Sequence, residues 1–167
     1  MNAQQAIQPA AAGQTLRQYL TFVLAGEVYG VDILKVREIR GWQPVREVPE
    51  TPPFIKGLMD LRGEIVPVMD LRERFGLGTA EYGPVTVVIV LTLNRETGAH
   101  TLAVVVDAVL DVLDVAAGEA REAPLGCMIH KRYIEGVVSG ERMVILLDTS
   151  ALLSSEDWRR IGEPVGG

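Results

Sequence analysis

The chain has 167 residues, 48% of them hydrophobic and 23% charged, enough to build one ordinary domain or two small subdomains that share a core. Its net charge of −6 argues against a nucleic-acid partner, which usually needs a basic face, and against insertion into an anionic membrane. Cys127 is the single cysteine, and the N-terminus has no signal-peptide pattern, so we expect a protein of the reducing cytoplasm.

Composition also separates a folded region from two tails. Residues 1–15 are rich in Ala and Gln and have no hydrophobic period, and residues 154–167 are polar and end in EPVGG. Both are typical of disordered termini. We therefore expect one folded domain over residues 16–153, in which aliphatic rather than aromatic side chains fill the core.

The first elements lie in YLTFVLAGEVYGVDILKVREI, residues 19–39, which is typical of a strand, a turn and a second strand. Beyond the second strand, Ile33, Leu34, Val36 and Ile39 alternate irregularly with charged residues. This pattern fits amphipathic core packing, and it also fits an exposed apolar rim edged by charge, which suits a protein–protein contact.

The next stretch, GLMDLRGEIVPVMDL, runs from residue 57 to residue 71 and predicts a β-hairpin, because two apolar runs flank a polar turn with glycine. The turn places a long cation, Arg62, at the hairpin tip. A tip residue is usually only solvated. The corresponding turn later in the chain has Ser139 in this place, so the arginine is a candidate contact residue.

The order of elements occurs twice along the chain. Residues 54–75 match residues 133–153, and residues 19–39 match residues 87–115, at an offset of about 75 to 79 residues. Each copy holds about five short strands, and a single sheet of that size leaves apolar edges uncovered. We therefore predict two small barrels packed together, with subdomains at about 16–79 and 80–153 and an exchange of terminal elements between them allowed.

Residues capable of catalysis or metal binding are scarce. Cys127 and His130 lack a third residue to orient them as a nucleophile pair. Asp107, Asp111 and Asp114 would share a helical face suited to acid–base work or to a hard cation, but their β-branched surroundings favour a strand with a solvated acidic edge. We expect no enzymatic activity, no cofactor and no metal.

Two segments carry a resemblance to a known family. YGVDILKVREIRG, followed by PPFIKGLMDLRGEIVPVMDLRERFGL, resembles the CheW-like domains of bacterial chemotaxis over about residues 16–153. The resemblance implies an all-β fold with short helices, made of two SH3-like five-stranded barrels. It also implies a non-enzymatic adaptor that joins the CheA histidine kinase to the cytoplasmic tips of chemoreceptors, recruited to receptor arrays at the inner membrane and monomeric when free.

The same resemblance suggests site residues. The positions that match the family's receptor-binding groove and its coupling residues are Val31, Leu34, Val36, Glu38, Arg62, Val106 and Val109. The positions that match its contacts with the kinase's CheW-like domain are Ile39, Val45, Gly57, Leu58 and Arg121. Near the last of these, Gly126 stands where the family often has a larger apolar residue.

Two other functions remain open at this point. One is an adaptor of the same family in a pathway unrelated to motility. The other is a small ligand-binding or enzymatic barrel that uses the groove between the subdomains and the acidic residues 107, 111 and 114.

Overall fold

A computed structural model of the protein describes residues 16–79 and 81–162. The predicted tail at 1–15 and the last five residues of the predicted tail at 154–167 lie outside this part. The ten strands of the described chain are β1 (Leu16–Leu24), β2 (Glu27–Asp32), β3 (Val36–Gly41), β4 (Ile55–Leu61), β5 (Glu64–Asp70), β6 (Val87–Arg95), β7 (Gly98–Val106), β8 (Ala108–Ala116), β9 (Ile134–Val138) and β10 (Val144–Leu147).

Short helical segments join some of the strands. Two are α-helices, α1 (Leu71–Arg74) and α2 (Ser155–Ile161). Three are single 3₁₀ turns, η1 (Ile33–Lys35), η2 (Lys131–Tyr133) and η3 (Thr149–Ala151). The prediction of a mostly β protein with short helices is therefore confirmed.

The strands form two five-stranded sheets, in the orders β8-β1-β2-β10-β9 and β3-β6-β7-β5-β4. We call them barrel 1 and barrel 2, and they are consistent with the two SH3-like units that the sequence predicts. Each copy of the repeat gives its first two strands to one barrel and its last three to the other. In each barrel a parallel pairing joins strands from the two copies, β2 with β10 and β5 with β7.

The exchange moves the subdomain boundary away from the repeat boundary. Strands β6 and β7, which the sequence places in a subdomain at 80–153, lie in barrel 2 with β3, β4 and β5. The barrels therefore do not coincide with residues 16–79 and 80–153. The physical reason is that a strand pairs with the best available edge, and sequence position does not decide which edge that is.

Both faces of the central strands are buried, which explains their nearly continuous apolar runs. In β7, Leu102, Val104 and Val106 belong to a core shared by the two barrels, whereas Ala103 and Val105 fill the interior of barrel 2. The shared core also receives residues from β1, β2, β9 and β10. The two barrels are thus packed through one continuous apolar interface.

The repeat is visible again where each last strand ends. Asp70 caps α1 and Asp148 caps η3, each by accepting a backbone N–H two or three residues ahead. The backbone nitrogens of the two aspartates donate to Phe54 and Tyr133, at 2.8 and 2.9 Å. The matching aromatic and acidic residues of the two copies therefore occupy matching places.

The C-terminal end requires a correction. Residues 154–161 were expected to lie in a disordered tail, but residues 155–161 form helix α2. Ser154 and Asp157 make a capping box at its start, and Trp158 and Ile161 are buried. A polar helix of seven residues with two apolar positions has too little periodicity to stand out in the sequence.

Candidate functional site

The first candidate surface lies where the chain crosses from barrel 1 to barrel 2. Asp32 ends β2, and its carboxylate accepts the backbone N–H of Leu34 at 2.9 Å, which sets the single 3₁₀ turn η1. This turn directs the side chain of Leu34 outwards, and Leu34 is 87% exposed. Val36 and Glu38 follow in β3 and are half-buried. We call Leu34, Val36, Glu38 and Arg62 the crossover surface.

Arg62 joins this surface from the tip of the β4–β5 hairpin. Arg62 and Gly63 form a two-residue turn with φ values of 51° and 92°, as a type I′ hairpin requires. The Arg62 guanidinium donates to the Glu38 carboxylate at 2.5 Å. The predicted hairpin therefore exists, and its cation is bonded to a second residue of the predicted receptor set.

A second ion pair ties the same hairpin tip to β3. Arg37 donates to Glu64 at 2.7 Å, and Thr101 of β7 donates to the other oxygen of Glu64 at 2.7 Å. The charges alternate, since β3 offers Arg37 and Glu38 while the tip offers Glu64 and Arg62. Two crossed ion pairs thus fix the hairpin tip against β3 and set the position of the Arg62 side chain.

Both carboxylates of this cluster are held in their charged form. The hydrogen bond from Arg62 is the main cause that lowers the pKa of Glu38. Hydrogen bonds from Thr101 and then Arg37 lower the pKa of Glu64. The hairpin tip and β3 therefore present a stable pattern of paired charges.

The other three members of the predicted receptor set are buried or half-buried. Val31 is 0% exposed and Val106 is 1% exposed, and both belong to the core shared by the barrels. Val109 is half-buried and packs against the same core. In this conformation Val31 and Val106 cannot touch a partner, which corrects their assignment as groove-lining residues, because the two barrels close the space between them with their own side chains.

The second candidate surface is a groove of about 410 Å³ at the open end of barrel 2. Val45 and Leu58, two residues of the predicted kinase set, line it together with Met59, Ile65 and Val68. Ile65 is 51% exposed. We call these five residues the barrel-end groove. Ile39, also predicted to bind the kinase, is 47% exposed on β3.

Gly57 shapes this groove without being part of its surface. The residue is buried with a φ of 152°, and an added Cβ would lie 2.2 Å from the carbonyl oxygen of Arg46. The close approach lets Arg46 and Leu58 exchange backbone hydrogen bonds at 3.0 and 2.8 Å. Only glycine allows the chain to close the barrel end in this way.

Arg121 occupies the matching place in barrel 1. It exchanges backbone hydrogen bonds with Val137 at 2.9 and 2.8 Å, as Arg46 does with Leu58. The nearby loop exposes Leu125 and Met128, which are 99% and 66% exposed and flank Gly126. Sequence reasoning passed over these two apolar residues, although apolar side chains in a loop of charged residues and glycine were a signal.

The three acidic candidates and His130 each have a partner within the chain. Asp107 pairs with Arg72 at 2.8 Å, Asp111 accepts the hydroxyl of Thr21 at 2.7 Å, and Asp114 accepts the amide of Gln18 at 3.0 Å. His130 accepts the backbone N–H of Arg132 through Nδ1 at 3.0 Å. In residues 16–79 and 81–162, no three His, Cys, Asp or Glu side chains are placed to hold a metal ion.

None of the helices in the described part of the chain has the length and the apolar composition needed to cross a membrane.

Comparison with known proteins adds independent information. A family model described as the CheW-like domain matches residues 18–157. A chemotaxis protein CheW from Klebsiella aerogenes is 46% identical over 149 residues, which is 87% of either chain. A chemotaxis protein CheW from Treponema pallidum is 34% identical, over 92% of this chain and 91% of the relative.

A further relative and a solved structure also match most of this chain. Protein FrzA of Myxococcus xanthus is 31% identical, over 91% of this chain and 94% of its own. The crystal structure of the scaffolding protein TtCheW from Thermoanaerobacter tengcongensis superposes with a TM-score of 0.76 at 29% identity. The superposition covers 86% of this chain and 91% of that one.

Proposed function

The chain belongs to the family of CheW-like domains, and on that premise we propose that it is a non-enzymatic adaptor that couples chemoreceptors to the CheA histidine kinase. The coupling role in chemotaxis rests on the family itself, whose members include chemotaxis CheW proteins and a scaffolding protein. The assignment of each partner to a surface rests on the arguments below.

The observation that carries the receptor contact is Leu34. A large apolar side chain that is 87% exposed has no role in the core, because burial is what makes such a residue stabilising. Asp32 and Lys35 flank it in the chain, and Glu38 of the following strand is paired with Arg62. An apolar anchor within a charged rim suits the tip of a helical hairpin that presents both kinds of side chain.

The kinase contact is assigned to the other surface of barrel 2. Val45, Leu58 and Ile65 make the apolar part of a groove at the barrel end that Arg46 and Asp60 also line, with Ile39 exposed on β3. A groove of this kind can take apolar side chains from another barrel end, as the kinase's own CheW-like domain would offer. Arg121 and its exposed loop would provide a second, separate contact on barrel 1.

The absence of catalysis is part of the proposal. The acidic residues that could serve acid–base chemistry are each bonded to another side chain, as Asp107 is to Arg72. We further propose that the protein reaches the inner membrane through its receptor partners. An adaptor outside motility is the alternative. The relatives named as chemotaxis proteins, one of them 46% identical, favour chemotaxis.

The two assignments are tested together by two exposed substitutions. Leu34→Asp should weaken binding to a soluble receptor-tip fragment by about tenfold or more, since a few anchors dominate such contacts. Ile39→Asp should weaken binding to the kinase's CheW-like domain to a similar extent. Titration calorimetry with each purified partner measures both affinities for both variants.

Val85→Asp serves as the control, because Val85 is exposed in a loop outside the crossover surface. Circular dichroism and the melting temperature should be the same for all three variants. If Leu34→Asp binds the receptor fragment as tightly as the unmodified protein does, the crossover surface is not the receptor contact.

A further inference from the structure

The two copies of the repeat differ in the length of their first hairpin. The β1–β2 ladder has six residue pairs, from Tyr19–Asp32 to Leu24–Glu27, whereas the β6–β7 ladder has nine. Strand β6 pairs with β3 only as far as Leu91, and β7 pairs with β5 only over residues 103–105. Residues 92–101 therefore extend beyond both flanking strands, and we call them the hairpin extension.

A two-stranded ribbon of this kind is marginal in water unless another element covers it. Here the cover is α2, which follows β10 of barrel 1 in the chain but packs on barrel 2. Trp158 of α2 is 2% exposed. The Arg95 guanidinium lies 4.7 Å from the centre of its ring system, and the His100 ring lies 5.3 Å from it. Both residues belong to the hairpin extension.

Helix α2 is itself held from behind by α1. Asp157 of α2 accepts a hydrogen bond from Arg74 at 3.2 Å, and both side chains are largely buried. Arg74 also donates to the carbonyl oxygen of Leu152 at 2.7 Å, just before α2 begins. These contacts join α2 to α1, and Trp158 lies against the hairpin extension.

The hairpin extension also borders the crossover surface. Leu93 and Asn94 line a narrow crevice opposite Arg17, Asp32 and Lys35. Two of these residues belong to the segment that forms and caps η1, on either side of the exposed Leu34. The extension is therefore one wall of a polar crevice whose lining includes Asp32 and Lys35, the residues that flank the apolar anchor of the proposed receptor contact in the chain.

We propose that Trp158 is a positioning residue for receptor recognition: it holds the hairpin extension as the second wall of the receptor contact. A helix that lies on Leu34 then meets polar groups of the crevice, with Asn94 on one side and Lys35 on the other. This inference rests on the proposed function. It adds that the C-terminal helix, which does not touch the receptor, sets the affinity for it.

The test compares two affinities of the full-length protein. Trp158→Ala should weaken binding to a soluble receptor-tip fragment about tenfold, a loss of about 1.4 kcal/mol. Binding to the kinase's CheW-like domain should stay within about twofold, because the five residues of the barrel-end groove lie on β4, β5 and the loop before β4. Amide hydrogen exchange should become faster in residues 92–101, and Trp158→Phe should restore the receptor affinity in large part.

A second variant covers the case in which Trp158→Ala does not fold. The pair Arg95→Ala and His100→Ala removes the two side chains that contact the ring while α2 and its cap stay intact. It should give the same selective loss of receptor affinity. Unchanged receptor affinity in both variants, or equal losses for receptor and kinase domain, would overturn the inference.

The same experiment also tests the proposed function, through the binding of the unmodified protein. If the unmodified protein does not bind the receptor-tip fragment, the receptor assignment falls, and this inference falls with it before any variant is compared. If the unmodified protein binds and the variants bind equally well, only the role of Trp158 is lost.

Discussion

Two tyrosine hydroxyls in the core region differ in their partners. The Tyr82 hydroxyl donates to the carboxylate of Asp70, a buried residue that also caps α1. The Tyr29 hydroxyl is buried in the core between the barrels and has no hydrogen-bond partner among the described residues. Burial raises the pKa of both phenols, that of Tyr29 to about 12. The two hydroxyls should therefore contribute to stability with opposite signs.

We expect Tyr82→Phe to lower the free energy of unfolding by about 1.5 to 3 kcal/mol, because Asp70 would lose a donor to a buried charge. Tyr29→Phe is the matched control and should leave that free energy unchanged or raise it, since it removes a polar group without a partner. Urea unfolding followed by circular dichroism measures both. A loss of stability in Tyr29→Phe would mean that its hydroxyl has a partner after all.

The ion pair of Glu38 and Arg62 makes a prediction about pH. The pKa of Glu38 is lowered in the folded protein, mainly by the hydrogen bond from Arg62. The stabilisation is therefore fully present above the pKa that Glu38 has in the unfolded chain, and it is lost as the pH falls through the lower, folded value. Carbon-detected NMR titration should show this low pKa, and Arg62→Ala should return it towards the ordinary value of a glutamate.

The turn at the β4–β5 hairpin tip could be predicted from the sequence, but the ion pairs of that tip could not. The turn at Arg62 and Gly63 could be predicted, because glycine between two apolar runs is a local signal. The bonds of the tip to Glu38 and Arg37 join residues 24 and 27 positions apart. Whether these bonds form depends on how β3 and the hairpin are aligned with each other. No local sequence pattern indicates that alignment. The burial of Val31 was hidden for the same reason.

Strand β4 depends on one glycine. An alanine at position 57 would bring its Cβ within 2.2 Å of the Arg46 carbonyl oxygen, at a φ that side chains rarely adopt. We expect Gly57→Ala to lower the free energy of unfolding by about 2 to 5 kcal/mol, from backbone strain and overlap together. Because Gly57 supports the barrel-end groove, affinity for the kinase's CheW-like domain should fall as well.

Gly41→Ala is the control at the end of β3. Its added Cβ would meet nothing within 4 Å, and its φ is not in the positive region. The free energy of unfolding of the Gly41→Ala variant should stay within about 0.5 kcal/mol of that of the unmodified protein. Equal stability of both variants in a denaturant titration would contradict the close approach of Gly57 and Arg46.

Helix α2 marks the limit of prediction at the level of elements. Strands in this chain are signalled by long runs of β-branched residues, as in VTVVIVLTL. The helix has seven residues, too few to be stable alone. The helix forms because Trp158 packs against Arg95 and His100, and because Asp157 accepts a hydrogen bond from Arg74. These three partners are distant from the helix in sequence. Tertiary contacts therefore determine this element, whereas local preference determines the strands.

At the scale of the molecule, the repeat predicts the number of strands and their order but not their partners. Each copy could close a barrel by itself, and the spacing of apolar residues would be the same. The parallel pairings of β2 with β10 and of β5 with β7 join the copies instead. Both barrels are therefore built from both copies, and the core between them draws on the whole folded chain.

This exchange predicts that neither copy of the repeat folds alone. A fragment of residues 16–79 holds two strands of barrel 1 and three of barrel 2, so both sheets would end at unpaired edges and the shared core would be exposed. We expect this fragment and its complement, residues 80–162, to be unfolded separately by circular dichroism. Mixed in equal amounts, they should recover the native spectrum and unfold in one cooperative transition, as we expect of the intact chain. A monomeric fragment 16–79 that melts cooperatively by itself would mean that the barrels close within each copy, and the exchanged strand order would then be incorrect.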